Sequence, residues 1–189
     1  MNLFTGAGDD GTTKTSHSGA TMSKASRLAE AIGTTEELEA YLGLCRSKAR
    51  NRDVVSYPGG PGVADVLERS QKDVLIVRAE LGGDGASITP AKLRAMESVI
   101  EDSEAALPAA NPSVSSLTGG DELSALLDVA WAVARRAERR VVEANHADGG
   151  ELVSAETLAF LNRLSKLLSA LARRVNFAAG FGASTHNHG

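Results

Sequence analysis

A length of 189 residues gives one domain of ordinary size, and a composition of 42% apolar but only 4% aromatic residues requires its core to be built from Leu, Val and Ala, which suits packed helices better than a sheet sandwich. The formal net charge of -4 argues against general nucleic-acid binding, and the single Cys45 excludes an internal disulfide and fits a reducing compartment. No apolar run is long enough to span a membrane and no apolar signal-peptide core stands at the N-terminus, so the default expectation is a soluble cytoplasmic protein.

Residues 1–22 are rich in Gly, Thr and Ser and carry neither a helical nor a strand period, so composition favours a loose tail. The other reading of this stretch is a phosphate-cradling loop, because its glycines permit positive φ and let successive backbone N–H groups point at one anion. It is not a Walker loop, since the GxxxxGK[ST] spacing is absent. The domain proper is read over residues 23–179. Its first helix starts near Ser23 and runs to about Ala49, with Leu38, Tyr41, Leu42 and Cys45 as its apolar stripe. Gly33 interrupts it, and Thr34 or Thr35 recaps it ahead of Glu36 and Glu37. The stretch from Tyr57 to Gly62 is a break, and a second helix follows from Val63 to about Leu81, closed by Gly82-Gly83-Asp84-Gly85.

Thr89-Pro90 reads as N-cap and first helical position of a third helix that runs to about Leu107 and stops at Pro108. Small residues from Asn111 to Gly120 form a loop. Between Asp121 and His146 there is no Gly or Pro, and Leu123, Leu126, Leu127, Ala130, Ala134, Ala137 and Val141 recur at helical spacing. Gly149-Gly150 ends this helix, and Ser154 and Thr157 open a last one with Leu158, Leu161, Leu164, Leu167, Leu168 and Leu171. Residues 180–189 read as a flexible tail, whose His186 and His188 are solvated rather than ligating, since a metal site needs three or four converging ligands. Five long helices with short connections and no strand signal make an all-α five-helix bundle.

The fourth helix carries Ala134-Arg135-Arg136-Ala137-Glu138-Arg139-Arg140. Arg135, Glu138 and Arg139 are three and four apart and therefore share one face. Such a cluster is either a solvated, salt-bridged surface or a cradle for polyanionic oxygens in which the carboxylate fixes the guanidinium geometry.

Six short motifs, in order, resemble those of the PduO-type ATP:corrinoid adenosyltransferases over nearly the whole chain. Thr5-x-x-Gly8-Asp9-Asp10-Gly11-Thr12-Thr13 resembles that family's TxTGDxGTT loop. Ser23-Lys24 and then Glu30-Ala31-x-Gly33-Thr34-x-Glu36-Glu37-Leu38 resemble SK…EAxGTxDEL, and Leu67-Glu68-x-x-Gln71 the second helix. Met96-Glu97-x-x-Ile100-Glu101 with Leu107-Pro108 resembles LExxID…LP, the run from Arg135 to Arg139 reproduces RRAER, and the run from Phe160 to Ser165 resembles YLNRLSD.

The resemblance implies a five-helix bundle assembling as a homotrimer with active sites between subunits. It implies transfer of the 5′-deoxyadenosyl group of ATP to the cobalt of cob(I)alamin, the corrinoid being a substrate that supplies the nucleophile itself, with release of triphosphate. Mg2+ would bridge phosphate oxygens rather than sit on protein side chains, and a cob(II)alamin reductase or an adenosylcobalamin-dependent enzyme would be a partner. Carried over by position, Thr5, Gly8, Thr13 and Lys14 belong to the phosphate loop and Lys24 to the phosphate contacts. Arg135 and Glu138 form the central catalytic pair, flanked by Arg136 and Arg139, and Asn162 is the nucleotide-contacting amide.

Departures from the family pattern fall mostly on the corrinoid side. Glu36 stands for an aspartate, and Trp131 for an arginine four residues before the first Arg of RRAER, where a salt bridge between helices is expected to be lost. Ser115 stands for the phenylalanine of F[IV]LPGG that helps exclude the lower axial ligand of cobalt. In the N-terminal loop, Gly6 and Ala7 replace a basic residue and a threonine. The alternative function that these changes raise is an ATP-binding homologue with altered or lost corrinoid activity.

Overall fold

The computed structural model describes residues 5–15, 19–50, 52–107, 118–147 and 151–181. Five helices carry the chain: α1 (Arg27–Ala49), α2 (Val63–Leu81), α3 (Pro90–Ala105), α4 (Glu122–Ala147) and α5 (Ala155–Ala178). Local chemistry sets three of the starts. The side chains of Ser26, Thr89 and Ser154 accept the backbone N–H groups of Ala29, Lys92 and Thr157, and Pro90 fills a first-turn position whose N–H would have no helical partner.

Helix α1 packs between α2 and α4, α4 packs between α1 and α5, and α3 lies on α5. The antiparallel registers are written in the ion pairs. Arg27–Glu143, Glu30–Arg140 and Lys48–Glu122 tie α1 to α4, and Glu36–Arg78 and Arg46–Glu68 tie α1 to α2, with partner numbers falling as those of α1 rise. Leu38, Leu42, Leu67, Leu127, Phe160, Leu161 and Leu168 are fully buried at the centre. Each such side chain contributes about 1.5–3 kcal/mol on leaving water, whereas exposed ion pairs contribute little. Packing therefore holds the bundle together, and the charges select its register.

Two expectations are corrected. Gly33 does not interrupt α1, which runs unbroken from Arg27, four residues beyond the expected start at Ser23. Thr34 and Thr35 are not caps. They are buried in the helix, their hydroxyls donating to the carbonyls of Glu30 and Ile32, so tertiary burial overrides the local breaking tendency of glycine. Secondly, strands exist: β1 (Thr12–Lys14) and β2 (Thr21–Ser23) pair antiparallel, Thr12 opposite Ser23 and Lys14 opposite Thr21. The described part of the N-terminal stretch thus carries a paired-strand hairpin leading into α1, where composition favours a loose tail. Ser115, His186 and His188 lie outside the described residues. Among the described residues, no helix is long and apolar enough to cross a membrane.

Candidate functional site

The hairpin builds the first half of the site. Gly6, Gly8 and Gly11 all have positive φ, and the turns close by hydrogen bonds from Asp9 N–H to Gly6 O and from Gly11 N–H to Gly8 O. At Gly8 the requirement is strict: with φ at +87°, a Cβ would stand 2.8 Å from the carbonyl oxygen of Thr12. Lys24 N–H donates to Gly11 O, and its ammonium donates to Gly8 O at 2.7 Å, so this lysine is fastened across the loop. Thr5 Oγ1 accepts from Ala7 N–H. The Asp10 carboxylate accepts from both the hydroxyl and the N–H of Thr12, and these bonds hold its pKa below the usual value.

Pairing of β1 with β2 puts Thr13, Lys14 and Lys24 on one wall of a cavity of about 530 Å³. Gly33 and Glu36 of α1 line the same cavity, as do Leu75 and Arg78 of α2. The sequence motifs did not single out the two α2 residues. Arg78 donates to Glu36 Oε1 at 2.6 Å.

The second half lies on α4 and α5. The Arg135 guanidinium sits 5.5 Å from the ring centre of Trp131, a cation–π contact. Trp131, Arg135 and Asn162 share a second cavity, of about 340 Å³, with Lys166. Glu138 behaves differently from the expected guanidinium clamp: its carboxylate accepts from the Asn162 amide at 3.1 Å. Arg139 donates to the backbone oxygen of Arg135, and Arg136 turns to α1, where it pairs with Glu37. Helical spacing placed these residues on neighbouring turns, but the adjoining helices decided which partner each one takes.

The first cavity contains none of Arg135, Glu138 and Asn162, and the second contains no residue of the hairpin. Each half thus lines a cavity of its own. Asp128, also outside the motifs, adjoins the second half. It accepts from Gly119 N–H at 3.0 Å, and burial pushes its carboxyl pKa up. Asn176 holds the same segment from α5, its amide donating to Gly119 O and its oxygen accepting from Asp121 N–H. Gly120 fits beneath it because a Cβ there would stand 2.6 Å from Asn176 Oδ1. The one cysteine offers no nucleophile: Cys45 is buried, and burial pushes its thiol up to about 12.

Comparison with known proteins matches the chain to one group. The sequence profile described as "Cobalamin adenosyltransferase" matches residues 3–175. A corrinoid adenosyltransferase of Bacillus subtilis is 33% identical over 191 residues, covering 96% of this chain and 90% of the relative. One from Mycobacterium bovis is 35% identical, covering 92% of this chain and 88% of its own length. Against the corrinoid adenosyltransferase PduO of Citrobacter freundii the identity is 32% over 92% of this chain, which spans about half (49%) of that longer relative. Among solved structures, a variant PduO-type ATP:corrinoid adenosyltransferase from Lactobacillus reuteri, complexed with cobalamin and ATP, superposes with a TM-score of 0.84 at 23% identity. That match covers 99% of this chain and all of the other, and carries the fold.

Proposed function

The chain belongs to the cobalamin adenosyltransferase family, and from that premise we propose that it transfers the 5′-deoxyadenosyl group of ATP to the cobalt of cob(I)alamin. In this reaction the cobalt–carbon bond forms with the electron pair of Co(I). The bond from C5′ to the triphosphate oxygen breaks, and triphosphate leaves with that bond's electrons. The corrinoid is itself the nucleophile, so the protein supplies position and charge. The observation that carries the reading is the hairpin: the positive-φ loop and the tethered Lys24 stand beside Lys14 at one cavity. These cations are suited to a triphosphate whose charge grows as it departs. Thr5, Gly8 and Thr13 supply the loop around it.

Arg135, with Glu138 and Asn162 beside it, is the catalytic group of the other half. Arg135 bears on the leaving phosphates, the Glu138–Asn162 hydrogen bond orients the amide toward the nucleotide, and Arg136 and Arg139 flank them. The two halves line separate cavities of one chain. As the family resemblance implies, we propose a homotrimer in which a second copy brings its α4–α5 face to the hairpin. Magnesium would arrive on the phosphate oxygens of ATP, the Asp10 carboxylate being already engaged by Thr12. Trp131 and Glu36 face the corrinoid in this scheme, and Ser115, outside the described residues, is assigned to the corrinoid side by the resemblance alone. A cytoplasmic location follows from the proposed substrates, ATP and a corrinoid that must be kept reduced, and a cob(II)alamin reductase or an adenosylcobalamin-dependent enzyme would work beside it.

The test is anaerobic incubation with Mg·ATP and chemically reduced cob(I)alamin, followed by visible spectroscopy. The light-sensitive adenosylcobalamin spectrum is expected. An unchanged spectrum from protein that binds ATP would overturn the transfer activity.

A further inference from the structure

The far end of the hairpin cavity has a chemistry that the phosphate reading does not use. Ala29, Ile32, Gly33 and Glu36 form one stripe of α1 along that cavity. At 1.5 Å rise per residue, Glu36 stands about 10 Å along the helix from Ala29, which lies beside the hairpin. The near end presents Lys14 and Lys24. The far end presents Glu36 and Arg78, and Arg78 Nη2 donates to Glu36 Oε1 at 2.6 Å. That pair is electrically neutral and suits an anion poorly. It is not fully used, however. The Arg78 side chain is 31% exposed and that of Glu36 52%. One guanidinium carries five N–H donors and one carboxylate about four acceptor sites, so a single bond between them leaves both a donor and an acceptor for a ligand.

A neutral group that needs both is a primary carboxamide. Between the two ends the walls are apolar: Ile32, Ala79 and Leu75, the last 48% exposed. Gly33 lies in the middle of α1, where glycine costs helix stability. A Cβ there would meet nothing within 4 Å, and its φ is not positive, so neither packing nor backbone conformation calls for glycine. At Gly33 the helix surface is therefore open toward the cavity.

We propose that Arg78, aligned by Glu36, is a specificity residue that reads a peripheral carboxamide of the corrinoid, whose apolar macrocycle edge lies along Leu75 and over Gly33. This rests on the adenosyltransferase reading and names the chemical form of its second substrate: an amidated corrinoid in preference to one bearing free carboxylates. Arg78→Met keeps length and apolar surface while removing the donors. It is expected to raise the KM for cob(I)alamin about tenfold, with kcat and the Kd for Mg·ATP unchanged. Glu36→Gln supplies a readout that a merely structural ion pair would not give. It leaves Arg78 with an unopposed positive charge, so preference should shift about tenfold toward cobalamin derivatives in which one peripheral amide is hydrolysed to a carboxylate.

Four measurements decide it: KM for cobalamin, KM for the monocarboxylate derivatives, Kd for Mg·ATP by calorimetry, and assembly size by light scattering. Unchanged corrinoid KM in Arg78→Met, or unchanged amide-to-carboxylate preference in Glu36→Gln, overturns the proposal. So does a loss of activity that follows dissociation of the assembly. A wild-type protein that converts no corrinoid overturns the underlying activity instead, and the two failures are told apart by that control.

Discussion

Replacing Gly8 by Ala tests whether the hairpin is the phosphate site. The substitution has two consequences in the structure. Alanine must hold φ at +87°, and its Cβ would stand 2.8 Å from Thr12 O and 3.2 Å from Lys24 Nζ. The lysine can swing away, but the carbonyl is part of the backbone of β1, which the ladder with β2 holds on both sides of Thr12. Holding an L-residue in such a conformation costs on the order of 1–3 kcal/mol. The loop will leave it instead, releasing the Lys24 ammonium from Gly8 O. Because binding is weakened by the fraction of molecules lacking the competent loop, and each 1.4 kcal/mol is about tenfold, the Kd for Mg·ATP should rise between about 5-fold and about 150-fold. Gly8 lies outside the buried core, so the opening is local and the thermal unfolding midpoint should stay where it is. Gly11→Ala is the matched control: its φ is +80°, but a Cβ there meets nothing within 4 Å, so it carries the conformational cost without the collision and should weaken ATP less. Titration calorimetry and a thermal melt measure both quantities. An unaltered Kd in Gly8→Ala would remove this loop from the nucleotide site.

Arg135→Ala should lower kcat by about 10²–10³-fold, the size of the loss when one preorganised donor to a developing anion is removed. The melt should barely change, because the Arg135 side chain is exposed and packs on the Trp131 ring; normal turnover would place it outside the site. Gly33→Ala should stabilise α1 by about 0.5–1 kcal/mol and raise the melting temperature, while the corrinoid KM rises because the new methyl enters the cavity; a raised melt with unchanged KM would mean that the space is empty in the working enzyme. Acid unfolding should depend on Asp121. Burial by itself would push its pKa up, but the hydrogen bond from Arg52 and the N–H of Leu123 outweigh that and lower it below 3.8. Its stabilisation is therefore present above about 3.8 and lost as pH falls through the lower folded value. In thermal melts against pH, Asp121→Asn should be less stable than wild type at neutral pH and converge with it in acid; a constant difference across the range would show that the charge plays no part.

The helices were legible because each needs only a local pattern: an apolar stripe at period 3.6, a capping hydroxyl such as Ser154, a proline such as Pro90 at a first turn. What escaped depends on contacts between distant segments. Three-residue strands made of Thr, Lys, Met and Ser have no room to show alternation, and the pairing of Thr12 with Ser23 exists only once the chain has turned. Gly33 reads as a break until α2 and α4 pack on α1 and bury its neighbours Thr34 and Thr35. The same division runs through the site. Arg135, Glu138 and Asn162 stand in motifs that a reader finds along one dimension. Arg78 is a lone cation between Val77 and Ala79 in a helix, and nothing in its neighbourhood announces it. It meets Glu36 because the α1–α2 register puts 36 opposite 78, as it puts 46 near 68. A bundle packed by Leu and Ala tolerates many polar residues on its outer faces, and its registers decide which of them become chemistry. The same reasoning separates Lys24 from Arg135: helix order within one chain gives each its own cavity, and in the proposed assembly a neighbouring copy brings its α4–α5 face to the hairpin. A mixed-variant experiment follows from that geometry. Protein carrying Lys24→Met, inactive alone, and protein carrying Arg135→Ala, inactive alone, should regain part of the activity when unfolded and refolded together, since some sites then combine the intact hairpin of one copy with the intact Arg135 of another. No recovery in verified mixed assemblies would mean that each site is built within one chain.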